Sequence, residues 1–188
     1  MQRALEIDPN SYNFLSDLGE VYYFNHQYDK AKEYYQKALT INPDFPAAHI
    51  HLYRIYLRTG EYDAAIQEAQ KREEAAYHTR NESSREQEDR ATYFAKERET
   101  YKQLGTRKSL EYAIGKDMEN AGTPRDPSLP YGWAELYALL GEKEKALDNL
   151  EKAHDNRAFM MAWVKANPIF DPLRSEPRYQ AILKKMGL

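Results

Sequence analysis

The chain has no cysteine among its 188 residues. A disulfide framework, a thiolate metal site and a cysteine nucleophile are therefore excluded, and the composition suits a reducing compartment, so a cytoplasmic location is expected. Glycine and proline are sparse, at 8 and 9. They fall mainly between stretches of helical periodicity, which predicts an all-α chain. Charge of one sign is lacking as well: 27 Lys and Arg face 30 Asp and Glu, for a net charge of -3. The basic field of a nucleic-acid binder is missing, and no direct nucleic-acid partner is expected. No apolar run approaches the roughly 18 residues of a membrane-spanning helix, and the N-terminus lacks the basic-then-apolar layout of a secretory leader. Phenylalanine is scarce at 6, whereas tyrosine reaches 16. Tyrosine suits half-buried positions, where its ring packs and its hydroxyl meets water. That predicts a thin structure with much of its core near the surface.

What is present is a repeat. Ala4, Leu5, Ile7 and Pro9 recur 34 positions on as Ala38, Leu39, Ile41 and Pro43. Residues 1–11 read as the closing half of a repeat whose opening helix lies upstream or was never made. The expectation is a piece of a longer polypeptide or a truncated array. A complete unit spans 12–45, with Leu15, Leu18, Gly19, Tyr22, Ala31, Tyr35, Ala38 and Pro43. Leu15, Leu18 and Tyr22 are three and four apart and share one face of a first helix. Gly19 and Ala31 are small where the two helices of the pair approach, and Pro43 ends the second. A second unit spans 46–80. Leu52, Tyr56, Tyr62, Asp63, Ala65 and Ala69 stand where Leu18, Tyr22, Tyr28, Asp29, Ala31 and Tyr35 stood. Tyr77 replaces the proline, so the helix there is expected to run on past Arg72. Tyr28 and Tyr62 are expected to pack into the turns, with Asp29 and Asp63 near the caps.

The pattern then degrades. Residues 71–99 are dense in mixed charge and read as a solvated helix, a disordered insertion or a charged docking surface. Residues 81–84 are expected to break the helix, with Ser84 and Gln87 forming a capping box for the next. A degenerate unit covers 84–122. Phe94 and Tyr101 lie on one helix, Gly105 closes it, and Leu110, Ala113, Ile114 and Met118 line the next. A clear unit returns at 127–157 with Trp133, Ala134, Tyr137, Gly141, Ala146, Leu150 and Ala153. Residues 158–188 form a cap. Its final helix starts near Ser175, Glu176 and Pro177 and buries Tyr179, Ile182, Leu183 and Met186, because the last pair of an array has no neighbour to cover it.

The spacing of Leu15, Leu18, Gly19, Tyr22, Ala31, Tyr35, Ala38 and Pro43 closely resembles the tetratricopeptide (TPR) pattern. The resemblance implies one TPR-type domain over 1–188, an α-solenoid in which antiparallel helix pairs stack into a right-handed superhelix. The stretch from Tyr137 to Ala153, with Pro168 to Arg174 and Pro177 to Tyr179, is similar to the C-terminal end of bacterial multidomain regulators. In those proteins repeats follow a winged-helix, nucleotide-cyclase or Ser/Thr kinase domain. The implied activity is non-enzymatic binding: first helices line a concave groove for a protein or peptide ligand. Family groove positions fall on Asn13, Ser16, Glu20, Tyr23 and Phe24, then on Ala47, Ile50, Arg54, Leu57 and Arg58. Ala95, Glu99 and Lys102 follow in the degenerate unit, and Tyr131, Glu135 and Ala138 in the last. Tyr23, Phe24, Ile50 and Leu57 would anchor an apolar side chain, or else touch a neighbouring part of the same chain. Arg54 and Arg58 would pair a carboxylate. The carboxylate clamp of TPR co-chaperones is not expected, because Glu20 occupies one of its places and would repel the ligand.

No catalytic constellation emerges. His49 and His51 point roughly 200° apart on a helix and cannot share a metal. Glu151-x-x-His154 has the spacing of half a di-iron site but no second copy. Trp133, Trp163, Met160 and Met161 read as core and cap packing rather than a cofactor box, and no cofactor or metal is expected. The reading is a protein- or peptide-binding scaffold that serves as the interaction or sensing arm of a larger cytoplasmic regulator in signal transduction or transcription. The alternative is a self-association module that docks a second copy, as a homodimer, through the N-terminal half-repeat.

Overall fold

Each helix begins and ends where its local chemistry dictates. In the computed structural model, which describes residue 8 and residues 10–77, 84–120 and 129–188, no strand occurs among the described residues. Helix α1 spans Tyr12–Phe24 and is capped by Ser11, whose Oγ accepts from the Phe14 amide at 3.4 Å. Helix α2 spans Tyr28–Ile41 and carries Asp29 in its first turn, where the helix dipole favours a negative charge. Helix α3 spans Pro46–Thr59, with Pro46 in its first turn, where a missing N–H costs nothing. Helix α4, Tyr62–Tyr77, carries Asp63 in its first turn and passes Arg72 as expected. Helix α5 spans Ser84–Asn120, α6 spans Leu129–Leu139 and α7 spans Lys143–Asp155. Two 3₁₀ segments, Phe159–Trp163 and Pro168–Leu173, lead to α8, Pro177–Lys185. The break expected over 81–84 lies, except for Ser84, outside the described residues. Ser84 is itself the first residue of α5.

One turn recurs and sets the register. The amides of Gln27, Glu61 and Glu142 donate to the carbonyls of Tyr22, Tyr56 and Tyr137 at 2.9, 2.8 and 2.9 Å. The residue before each amide is left-handed: His26 at φ 59, Gly60 at φ 82 and Gly141 at φ 75. This is the helix-ending geometry that glycine adopts without strain and histidine does not. It makes Tyr22, Tyr56 and Tyr137 equivalent, so the residues around them can be compared one by one. Gly105 differs, with φ 78 and ψ 179. It breaks α5.

The described residues fall into two compact units, one ending at Gln103 and the other starting at Leu104. The division lies inside the stretch 84–122. In the N-terminal unit α1 packs on α2, α2 on α3 and α3 on α4, and α1 also touches α3. Its core holds Tyr23, Ala31, Tyr35, Ala48, Leu52 and Ile55. Tyr35 is the centrepiece. Its ring stacks on His51 at 5.0 Å and 4°, and an added Cβ at Gly19 would lie 2.9 Å from its Cε1. The small residue at 19 is thus required by an aromatic ring as well as by helix approach. Tyr22 is only half-buried and stacks on Tyr34 at 5.3 Å. Tyr28 packs into its turn against Tyr23 and His26. Pro43 has a role beyond ending a helix: its carbonyl accepts from His49 Nε2 at 2.8 Å, and His49 Nδ1 meets Glu68 at 2.6 Å. Burial works to raise the Glu68 carboxyl, but hydrogen bonds from His49 and Lys71 outweigh it and hold the group below its usual range.

The C-terminal unit packs α6 on α7, the second 3₁₀ segment on α6 and α8 on α7. Its core joins Ala134, Leu147, Leu150, Ile169, Phe170, Leu173, Tyr179 and Ile182. Arg178 ties the cap to α7 through Glu144, Asp148 and Glu151. Leu110, Ala113 and Ile114 are buried, but Met118 is 43% exposed and does not line that helix's packed face.

Candidate functional site

The candidate groove positions lie on α1 and α3, and the structure sorts them by burial. Asn13 and Arg58 are exposed, and Glu20, Phe24 and Ile50 are half-buried. Ser16, Tyr23, Arg54 and Leu57 are buried. Tyr23 is 1% exposed and sits within the core, with its ring 5.5 Å from Phe24 and 6.2 Å from His51. Of the two roles that the sequence left open for Tyr23, contact with the chain's own helices is the one observed. Leu57 is buried too. The accessible surface is narrower than the sequence suggested: Asn13, Glu20 and Phe24 of α1 with Ile50 and Arg58 of α3.

A polar cluster lies beside that surface. Glu20 Oε1 stands 3.9 Å from His51 Nε2. Burial and the neighbouring Asp17 charge raise the Glu20 carboxyl above its usual range, and Arg54 offsets part of that rise. The same burial, with Arg54 nearby, pushes the His51 imidazole down to about 3. Glu20 thus faces a neutral ring rather than an imidazolium at neutral pH. Burial, and then Glu20, raise the Tyr35 phenol. The Tyr35 hydroxyl and His51 Nδ1 are buried with no hydrogen-bond partner among the described residues. Such groups carry an unrecovered desolvation cost. Sequence reasoning missed this stack, since His51 occupies a position where no repeat pattern asks for an aromatic or a base.

The C-terminal unit treats its equivalent positions differently. Tyr131, Glu135 and Ala138 are buried, so the expectation that they line an open groove is corrected. The 3₁₀ segment Pro168–Leu173 packs on α6, and Asn167 and Phe170 cover Tyr131 and Glu135. Asn167 Nδ2 donates to Glu135 Oε1 at 2.7 Å and to the Tyr131 hydroxyl at 3.0 Å. Phe170 meets the Tyr131 ring edge-on at 5.4 Å. Asn167 Oδ1 accepts from the Ile169 amide at 3.1 Å and fixes the turn. The pattern of Asn167, Pro168, Ile169, Phe170 and Leu173 signals a packed cap, but not which face it covers. Ala95, Glu99 and Lys102 are exposed on α5.

A shallow cleft of about 420 Å³ lies elsewhere on the N-terminal unit, lined by Gln36, Leu39 and Thr40 of α2, Leu52 and Tyr56 of α3 and Gln67, Glu68 and Lys71 of α4. No cluster of three or more metal-ligating His, Asp or Glu occurs among the described residues. Glu151 accepts from Arg178 and His154 Nδ1 lies 3.3 Å from Asp155, so the Glu151-x-x-His154 pair is engaged elsewhere. No helix among the described residues is long and apolar enough to cross a membrane.

Paired helices, one recurring turn and small residues at the crossings define an all-α protein of the helical-repeat class. Two models described as tetratricopeptide repeat match the chain, one over residues 25–79 and the other over residues 1–33. Residues 1–79 are therefore similar to tetratricopeptide repeats, which generally mediate protein–protein interaction. No curated protein matches the chain.

Proposed function

We propose that the chain is a non-enzymatic binding scaffold whose N-terminal unit takes a protein or peptide segment on the α1–α3 face. The observation that carries this reading is the contrast between equivalent positions. Glu20 and Ile50 are half-buried, whereas Glu135 and Tyr131 are sealed by the chain's own cap. A half-buried carboxylate beside apolar Phe24 and Ile50, with Arg58 at the rim, offers an apolar contact flanked by both signs of charge. The C-terminal unit would act as a capped end of the array, since its corresponding face is already filled. In the larger setting we read the chain as the interaction or sensing arm of a cytoplasmic regulator.

A displayed peptide library selected on the full chain tests this. Ligands should emerge that a combined Glu20→Lys, Ile50→Asp, Arg58→Glu variant no longer binds while its circular dichroism stays unchanged. If every selected ligand binds the variant as well as the parent, the α1–α3 face is not the site.

A further inference from the structure

Given the binding role proposed for the α1–α3 face, we infer that an arginine of a protein partner seats on α1 at Asp17 and Glu20, with a neighbouring apolar side chain of that partner against Phe24. Asp17, Glu20 and Phe24 stand at i, i+3 and i+7, so two carboxylates and a ring share one face of the helix. Asp17 is exposed, and Glu20 and Phe24 are half-buried. Neither carboxylate accepts a hydrogen bond or pairs with a lysine or arginine among the described residues. Glu20 stands 3.9 Å from His51 Nε2, beyond hydrogen-bond distance, and that ring is neutral at neutral pH. Arg58 lies about two turns beyond His51 on α3 and pairs with neither carboxylate.

The local charge balance is negative. Burial raises the Glu20 carboxyl most, and Asp17 then raises it by more than Arg54 lowers it. An incoming cation is what relieves such a group. The Tyr35 hydroxyl marks the same spot from inside the core. It is buried without a hydrogen-bond partner among the described residues, and the charge of Glu20 acts on it more strongly than that of Arg54. Asp17 acts on it as well, so the hydroxyl lies beside the acidic pair. Two carboxylates are too few for calcium, which takes roughly six to eight oxygen ligands. An ammonium is a compact point charge, whereas a guanidinium presents a planar fork of N–H donors that can serve two carboxylates one turn apart. Phe24 stands one turn beyond Glu20 and offers an apolar surface to the residue that accompanies the arginine.

Two libraries of displayed random peptides, one with a fixed central arginine and one with a fixed central glutamate, are selected on the full chain. The arginine library should enrich and the glutamate library should not. A selected arginine peptide is labelled with fluorescein and followed by anisotropy. Replacing its arginine by citrulline, which keeps the shape and removes the charge, should weaken binding by roughly tenfold. A combined Asp17→Asn, Glu20→Gln variant should weaken the arginine peptide by a similar factor, and on that variant citrulline should cost less than about threefold more. The citrulline exchange leaves the protein untouched, so a folding defect cannot mimic its result. Enrichment of the glutamate library alone, or arginine ligands indifferent to citrulline or to the variant, overturns the inference. If such ligands still depend on Ile50 and Arg58, the binding role of the face stands without this chemistry. If no ligand from either library responds to Glu20, Ile50 or Arg58, both fail.

Discussion

Glu20 and Glu135 stand at the same place in the repeat and lead different lives. Glu135 is 7% exposed and takes a hydrogen bond from a segment of its own chain. Glu20 is half-buried beside a neutral histidine, with its carboxyl raised by burial and by Asp17. The difference follows from what each helix packs against: the 3₁₀ segment Pro168–Leu173 lies on α6, whereas α1 packs on α2 and α3. A first-helix face can take up a further segment of chain, as α6 takes the 3₁₀ segment Pro168–Leu173. In one unit the chain supplies the occupant.

The largest effect should come from the aromatic core that holds the N-terminal face in shape. Tyr35→Ala removes a ring that is 0% exposed and should cost about 3–5 kcal/mol, while Tyr22→Ala, at a half-buried site, should cost clearly less. Denaturant midpoints for the two variants rank them, and equal losses would contradict the core described above. Asn167→Ala strips Glu135 and Tyr131 of a buried donor and should cost about 1–3 kcal/mol. Glu20→Ala should stay within about 0.5 kcal/mol, because that position is only half-buried. Matching losses at 167 and 20 would erase the contrast between the units.

A smaller effect concerns pH. The folded His51 imidazole titrates near 3, well below its ordinary 6.5. Between those values the unfolded chain holds more protons, so stability rises with pH through the window and is lost on acidification. Glu20, raised when folded, acts in the opposite sense above its usual range and offsets part of the loss. Going from pH 7 to pH 5 should cost on the order of 1–2 kcal/mol through His51. His51→Phe should flatten that slope in chemical denaturation, and an unchanged slope would remove His51 as its source. The smallest effect is a gain. His26→Gly replaces a left-handed histidine where Gly60 and Gly141 stand in the other hairpins, and should add about 0.5–1 kcal/mol. A lower thermal midpoint would mean that the contact of His26 with Tyr28 outweighs the backbone strain.

Much of the fold was legible because repeats write their register into sequence. Leu15, Leu18, Ala31, Tyr35 and Ala38 announced the helix pair, and the missing proline at Tyr77 announced a longer α4. Tyr22 is only half-buried, since Tyr34 and Lys30 shield it in part, and the pattern specifies an aromatic there without reporting its burial. The site was legible only as a set of helix positions. Burial of Tyr23 depends on Tyr28 and His51 of the next two helices, and burial of Tyr131 and Glu135 depends on residues more than 30 positions away. Local spacing cannot report either. The Tyr35–His51 stack lay out of reach for the same reason: it joins two repeats through a residue that belongs to neither pattern.

The most direct measurement is carboxyl footprinting of the native chain with a water-soluble carbodiimide and an amine, read residue by residue by mass spectrometry. Glu20 should be modified readily and Glu135 should stay protected until the protein unfolds. Equal protection of the two, or faster labelling of Glu135, would contradict the claim that one first-helix face is open and the other already filled.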